Sequence, residues 1–86
     1  MMSELSFETY RDYIAEHLEI EPEKLTYETR FQEDLELDSL DLVELVSALE
    51  SEYNLEISDD ELMEIKTLGQ GYEIIKAKLE ANKTTG

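Results

Sequence analysis

Ser39 is the residue in this chain best placed to do chemistry. It follows Asp38, precedes Leu40, and stands at the head of a run in which Leu42, Leu45, Val46, Leu49 and Tyr53 recur at the period of one helix face. Leu40 and Val43 are expected to widen that apolar stripe, while Asp41, Glu44, Glu50 and Glu52 take the other side. A helix start leaves backbone N–H groups unpaired and carries partial positive charge. A phosphate on the Ser39 hydroxyl would therefore be partly accommodated by the backbone. Read more plainly, Asp38 or Ser39 is a helix cap, a position both residue types favour.

Direct catalysis by Ser39 finds little support. A nucleophilic serine needs an adjacent base and an oxyanion site. The single histidine, His17, lies far off in sequence, and no Gly-x-Ser-x-Gly elbow is present. His17 falls near the end of a predicted helix, where a cation is favoured, so its expected role is structural. The carboxylates Glu33, Asp34, Glu36, Asp38 and Asp41 are hard oxygen ligands, but the glycine that a calcium-binding EF-hand loop requires at its sixth position is missing. No metal site is expected.

The elements that must position Ser39 follow from pattern and punctuation. The chain has 86 residues, enough for one domain, and no cysteine, so neither a disulfide nor a thiolate metal site supports it. Three glycines, one proline and no strand-like alternation favour an all-α bundle. Ser6 is a plausible cap for a first helix whose face is Phe7, Tyr10, Ile14 and Leu18, and Pro22 should stop it. A long connection from Glu21 to Asp38 holds Leu25, Tyr27 and Phe31, which should fold back onto the bundle, with a helical turn near Glu33. The second helix should run from Ser39 to Glu52 or Tyr53, with Asn54 as terminator. Ser58-Asp59-Asp60-Glu61 reads as a capping box opening a short third helix that ends near Lys66. Thr67-Leu68-Gly69-Gln70 has the same pattern and opens a fourth helix with a face of Leu68, Tyr72, Ile75 and Leu79. Gly69 and Gly71 should fray its first turns. The expected domain spans residues 4–81, and residues 82–86 read as a disordered tail.

Charge narrows the partners. Seven basic residues face twenty-three acidic ones, a formal net charge of −16, and the thirteen acidic residues between Phe31 and Ile65 meet no Lys or Arg. Nucleic acid and anionic membrane surfaces are opposed, whereas a basic protein surface is attracted. With no basic leader and no long apolar run, neither secretion nor stable membrane insertion is expected, and the cytoplasm is the expected compartment.

The run from Phe31 through Asp38-Ser39-Leu40 to Tyr53 closely resembles the signature of acyl carrier proteins. Phe31, Asp34 and Leu35 match the loop before the modification motif, and Asp41, Val43, Glu44, Leu45 and Ala48 match the helix after it. Ile20-Glu21-Pro22-Glu23-Lys24-Leu25, Ile57 and Ile65-Lys66-Thr67 extend the likeness over most of the chain. The resemblance implies a four-helix bundle with three longer helices, a short third one and a long loop between the first two. It further implies that Ser39, flanked by Asp38 and Leu40, receives 4′-phosphopantetheine from coenzyme A through a Mg²⁺-dependent phosphopantetheinyl transferase. The arm's thiol then carries acyl groups as thioesters, so the protein is a carrier and not an enzyme, expected to be a monomer. Asp41, Glu44 and Glu50 match positions that dock on basic patches of acyl-loading and acyl-processing enzymes. Leu45, Val46, Leu49, Leu68, Tyr72 and Ile75 would part to admit an acyl chain. The chain departs from the common pattern at Glu36, where many carriers have glycine, and at Ser47, a methionine in common fatty-acid carriers. The pathway is therefore open among fatty-acid, polyketide, peptide and specialised routes. Two other readings stand beside this one: an aminoacyl, peptidyl or D-alanyl carrier of the same fold, and a small acidic adaptor that is never modified.

Overall fold

The structure, a computed structural model, describes residues 5–84, and the side chains of residues 5–81. Four helices follow in order, α1 (Phe7–Leu18), α2 (Ser39–Tyr53), α3 (Asp59–Glu64) and α4 (Leu68–Thr84), with a 3₁₀ turn at Pro22–Lys24. Among the described residues there is no strand, only an isolated antiparallel bridge between Arg30 and Thr67.

The helix starts are chemically explicit. The Ser6 hydroxyl accepts the Thr9 N–H at 3.1 Å and caps α1. Ser58 and Glu61 complete the capping box of α3, in which the Ser58 hydroxyl takes the Glu61 N–H and the Glu61 carboxylate takes the Ser58 N–H. At α4 the Thr67 hydroxyl accepts from the Gln70 N–H at 3.1 Å, and the Gln70 side-chain oxygen accepts from the amides of both Lys66 and Thr67. Each such bond satisfies a donor that the helix cannot satisfy itself. The helix ends use the left-handed conformation, at Glu19 (φ 61°) after α1 and at Asn54 (φ 56°) after α2. Thus α1 ends four residues before Pro22, and the proline opens the 3₁₀ turn, where its missing N–H costs nothing.

The core is formed where the helix faces meet the long connection. Tyr10, Ile14 and Ala15 of α1, Leu42, Leu45, Val46 and Leu49 of α2, and Leu68 and Ile75 of α4 are buried together with Leu25, Phe31 and Ile65. Each large aliphatic side chain buried this way contributes about 1.5–3 kcal/mol. Tyr27 folds back onto the bundle as expected, but at its surface. It stays 42% exposed and lies across the start of α4, because its hydroxyl donates to the Glu73 carboxylate at 2.6 Å.

The first turn of α4 is tightly held where fraying was expected. The amides of Leu68 and Gly69 donate to the carbonyls of Thr29 and Tyr27, both at 2.8 Å. Gly69 sits under the Tyr27 ring, and a Cβ on Gly71 would lie 2.5 Å from the Tyr10 hydroxyl oxygen. That hydroxyl donates to the Leu68 carbonyl at 2.8 Å. The two glycines let α1 and the connection approach the α4 backbone, and this close packing outweighs their low helix propensity.

At its far end α4 continues through Thr84, past the expected boundary at Ala81. Ala81, Asn82 and Lys83 include no helix breaker, so residues 82–84 extend the helix backbone. The lead before Leu5 and the last two residues lie outside the described residues.

Candidate functional site

A tied turn delivers the chain to Ser39. Phe31 is buried, and the amides of Asp34 and Leu35 both donate to the Arg30 carbonyl, at 2.9 and 3.2 Å. This is the helical turn expected near Glu33. The Arg30 guanidinium spans the turn to Asp34 at 3.0 Å and to Glu33. Its hydrogen bond holds the Asp34 carboxyl below the usual carboxylate range. Leu37 then returns to the Phe31 carbonyl at 3.2 Å. Between them Glu36 adopts φ 59°, the left-handed region that glycine enters most easily. Where many carriers have glycine, this chain keeps a backbone that suits glycine and holds it with a glutamate.

Asp38 is the N-cap of α2, and Ser39 is its first helical residue. The Asp38 carboxylate accepts the Asp41 N–H at 2.8 Å, and the Asp41 carboxylate reaches back toward the Asp38 N–H at 3.4 Å. The carboxylate of Asp38 is thereby turned into the helix start. Ser39 itself is exposed, and among the described residues no group hydrogen-bonds its hydroxyl. The N–H groups of Ser39 and Leu40 belong to the set that an α-helix leaves without an internal acceptor. His17 is not a base for this serine. It lies in the last turn of α1, stacked on Tyr13 with ring centroids 6.4 Å apart. Among the described residues no cluster of His, Cys, Asp or Glu is arranged to hold a metal ion.

Beside Ser39 opens a cavity of about 560 Å³. Leu42 and Val43 of α2, Leu62 and Met63 of α3, and Ile65 supply its apolar wall; Arg30, Gln32, Glu33, Lys66, Thr67 and Gln70 complete it. None of the six residues expected to line an acyl pocket borders it. Leu45, Val46, Leu49, Leu68 and Ile75 are core, and Tyr72 is half-buried, its hydroxyl bonded to the Leu5 carbonyl at 2.9 Å. Those residues pack the helices against one another. The open space lies where six-residue α3, which has no buried residue, only partly covers the start of α2.

The structure corrects the expected width of the apolar stripe on α2. Leu40 and Val43 do not widen the buried stripe, being 65% and 45% exposed, and Met63 of α3 is 73% exposed. Leu40 and Val43 lie off the buried arc of Leu42, Leu45, Val46 and Leu49 on α2. Three exposed apolar side chains therefore stand near Ser39, a feature that sequence periodicity misses. Of the acidic residues expected to dock partners, Glu44 is exposed and among the described residues nothing engages its carboxylate, while Asp41 is exposed but tied into the cap. Glu50 is only half-exposed, and its carboxylate accepts the Ile57 N–H at 2.7 Å. That bond fastens the connection between α2 and α3.

A family model described as the phosphopantetheine attachment site matches residues 9–75. The chain belongs to the acyl carrier protein family. It is 42% identical over 77 residues to an acyl carrier protein of Lactobacillus acidophilus, a match covering 90% of this chain and 96% of that one. Among solved structures it resembles the acyl carrier protein from Enterococcus faecalis with a TM-score of 0.70 and 30% identity, over 84% of this chain and 91% of that one. The carrier's prosthetic group is 4′-phosphopantetheine, and its role is to carry acyl groups, not to transform them. Such a role implies contact with acyl-processing enzymes. No helix among the described residues is long and apolar enough to cross a membrane.

Proposed function

We propose that Ser39 is the attachment residue and that the carrier works in the cytoplasm as a monomeric shuttle with residues 4–81 as its carrier domain, α4 running on beyond it. One observation carries this reading: an exposed serine hydroxyl at the first position of a capped helix, on the wall of a cavity large enough for an acyl chain. The geometry fits the arm. Unpaired amides and the positive end of α2 favour a phosphate on the Ser39 oxygen. Asp38 caps the helix through the Asp41 amide, leaving the hydroxyl accessible. Leu42, Val43, Leu62 and Ile65 offer cargo an apolar surface beside the attachment point. When bound, the arm supplies a terminal thiol for thioester formation, which the cysteine-free chain lacks.

The phosphopantetheinyl transferase and the acyl-loading enzymes are read as basic-patch partners that meet Glu44 and Asp41, with Leu40, Val43 and Met63 as the apolar part of the contact. Rim charges of this kind act mainly on association rate. Glu44→Lys is expected to slow loading by the transferase more at low than at high salt, and equal loading rates at both would remove Glu44 from the interface.

The deciding experiment is intact mass after incubation with coenzyme A, Mg²⁺ and a broad-specificity phosphopantetheinyl transferase. Wild type should gain one phosphopantetheine and Ser39→Ala none. A folded wild type that stays unmodified beside a control carrier that loads would favour the unmodified adaptor.

A further inference from the structure

Two cations, Arg30 and Lys66, bracket the long acidic stretch of the sequence, and both line the cavity that holds Ser39. The fold places them side by side. Arg30 and Thr67 form the isolated bridge, and the Phe31 N–H donates to the Lys66 carbonyl at 3.0 Å. Their charges are used differently. The Arg30 guanidinium is spent on Asp34 and Glu33. Lys66 is exposed, and among the described residues no carboxylate lies within ion-pair distance of its ammonium group. In a chain of net charge −16, a cation left unpaired on a cavity wall is conspicuous. A phosphodiester on Ser39 would add a further negative charge beside Asp38 and Asp41, and the helix start offsets only about half a charge.

We infer that Lys66 binds the phosphodiester of the arm and thereby lays the arm over the cavity, toward Leu62 and Met63. This rests on the reading that Ser39 carries the arm. Lys66 acts as a positioning residue. Its backbone is fixed independently of its side chain, by the Phe31 amide on one side and by the Gln70 side chain, which accepts the Lys66 N–H at 2.9 Å, on the other. Substituting the side chain therefore leaves these bonds in place.

The test uses the full chain as wild type, Lys66→Gln and Lys66→Arg, each loaded with phosphopantetheine and checked by intact mass. The readouts are the ³¹P shift, the Lys66 side-chain NMR signals before and after loading, and the nuclear Overhauser contacts between the arm's methyl groups and Leu62 or Met63. In wild type at low salt, loading should shift the Lys66 signals, and added NaCl should reverse the shift. Lys66→Gln should move the ³¹P resonance and reduce the arm contacts roughly two- to fivefold, as expected for an exposed ion pair, with Lys66→Arg restoring them. Lys66 signals that do not respond to loading in a protein of confirmed holo mass would overturn the inference and leave Ser39 standing. Failure of the wild type to gain mass would overturn both.

Discussion

Where the first turn of α4 faces Tyr10 and Tyr27 there is no room for a Cβ, and between α3 and the start of α2 there is a cavity of about 560 Å³. The first region is an aromatic and glycine contact. Phe7 meets Tyr72 edge-on at 5.5 Å, Tyr10 and Tyr72 lie 5.6 Å apart, and the Tyr10 hydroxyl bonds the Leu68 carbonyl. Burial pushes the Tyr10 phenol far above its ordinary pKa. The second region is closed by α3, which has no buried residue; its Leu62 packs on the core, and polar ties fasten it: Glu50 to the Ile57 amide, the Ser58–Glu61 capping box, and Lys78 to Glu61 at 2.9 Å. The lesson is one of division. Apolar packing fixes the frame, and hydrogen bonds and charges position the part that borders the site. Close packing is intolerant of added volume, whereas surface polar ties can be lost one at a time.

The largest test of that contrast is Gly71→Ala. The new methyl meets the tip of a fully buried tyrosine that has nowhere to move, so overpacking and the disturbed Tyr10–Leu68 bond should exceed the gain in helix propensity. A loss of about 2 kcal/mol is expected, or a fall in Tm of roughly 10 °C. Gly69→Ala puts its methyl into the Tyr27 ring, which must give up its contact with Phe7 and its bond to Glu73 to make room, so a loss of similar size is expected. Thermal melts that leave both variants within about 0.5 kcal/mol of wild type would show that this region is not tightly packed.

Next in size is Glu50→Ala. Removing the acceptor of the Ile57 amide should cost about 1 kcal/mol and speed hydrogen exchange at Ile57 and across α3, leaving α1 unchanged. Exchange that rises equally in all helices would mean that α3 belongs to the same cooperative unit as the core. A smaller effect is expected for Lys78→Ala, within about 0.5 kcal/mol and fading as salt screens the pair with Glu61. Over the same salt range the wild type should itself melt higher, because its net charge of −16 opposes compaction. A wild-type Tm indifferent to NaCl would show that this repulsion is already relieved.

The finest test is by pH. Arg30 lowers the Asp34 pKa in the folded state, so the pair stabilises fully above the unfolded carboxyl value of about 3.9 and is lost as pH falls through the lower folded value. Asp34→Asn should therefore melt below wild type at neutral pH, and the difference should vanish in acid. A difference that persists in acid would assign Asp34 a role other than its charge.

What was legible in the sequence was local. Ser6, the Ser58–Glu61 box and the Thr67–Gln70 pair announce helix starts because a cap joins residues only three apart. The place of Ser39 at a helix start was legible through its surround, and Asn54 through its tolerance of the left-handed conformation. Glu19 and Glu36 adopt that conformation with side chains that do not advertise it. The packing of Tyr10 and Tyr27 on α4 joins residues far apart in the chain, so Gly69 and Gly71 read as weak points when they are contact points. The cavity beside Ser39 was not legible for a related reason. Periodicity reports which face of a helix is apolar, not whether a neighbour is long enough to cover it, and Leu40, Val43 and Met63 remain uncovered.

The shallow seating of α3 has a consequence in time. A six-residue helix with no buried residue is the kind of element that opens locally, on a scale of roughly microseconds to seconds, before the core does. A cargo lying in the cavity beside Ser39, as proposed above, would be covered only while α3 stays seated. Its dwell would then be timed by Glu50, Glu61 and Lys78, which fasten α3 and its connection, and not by the frame.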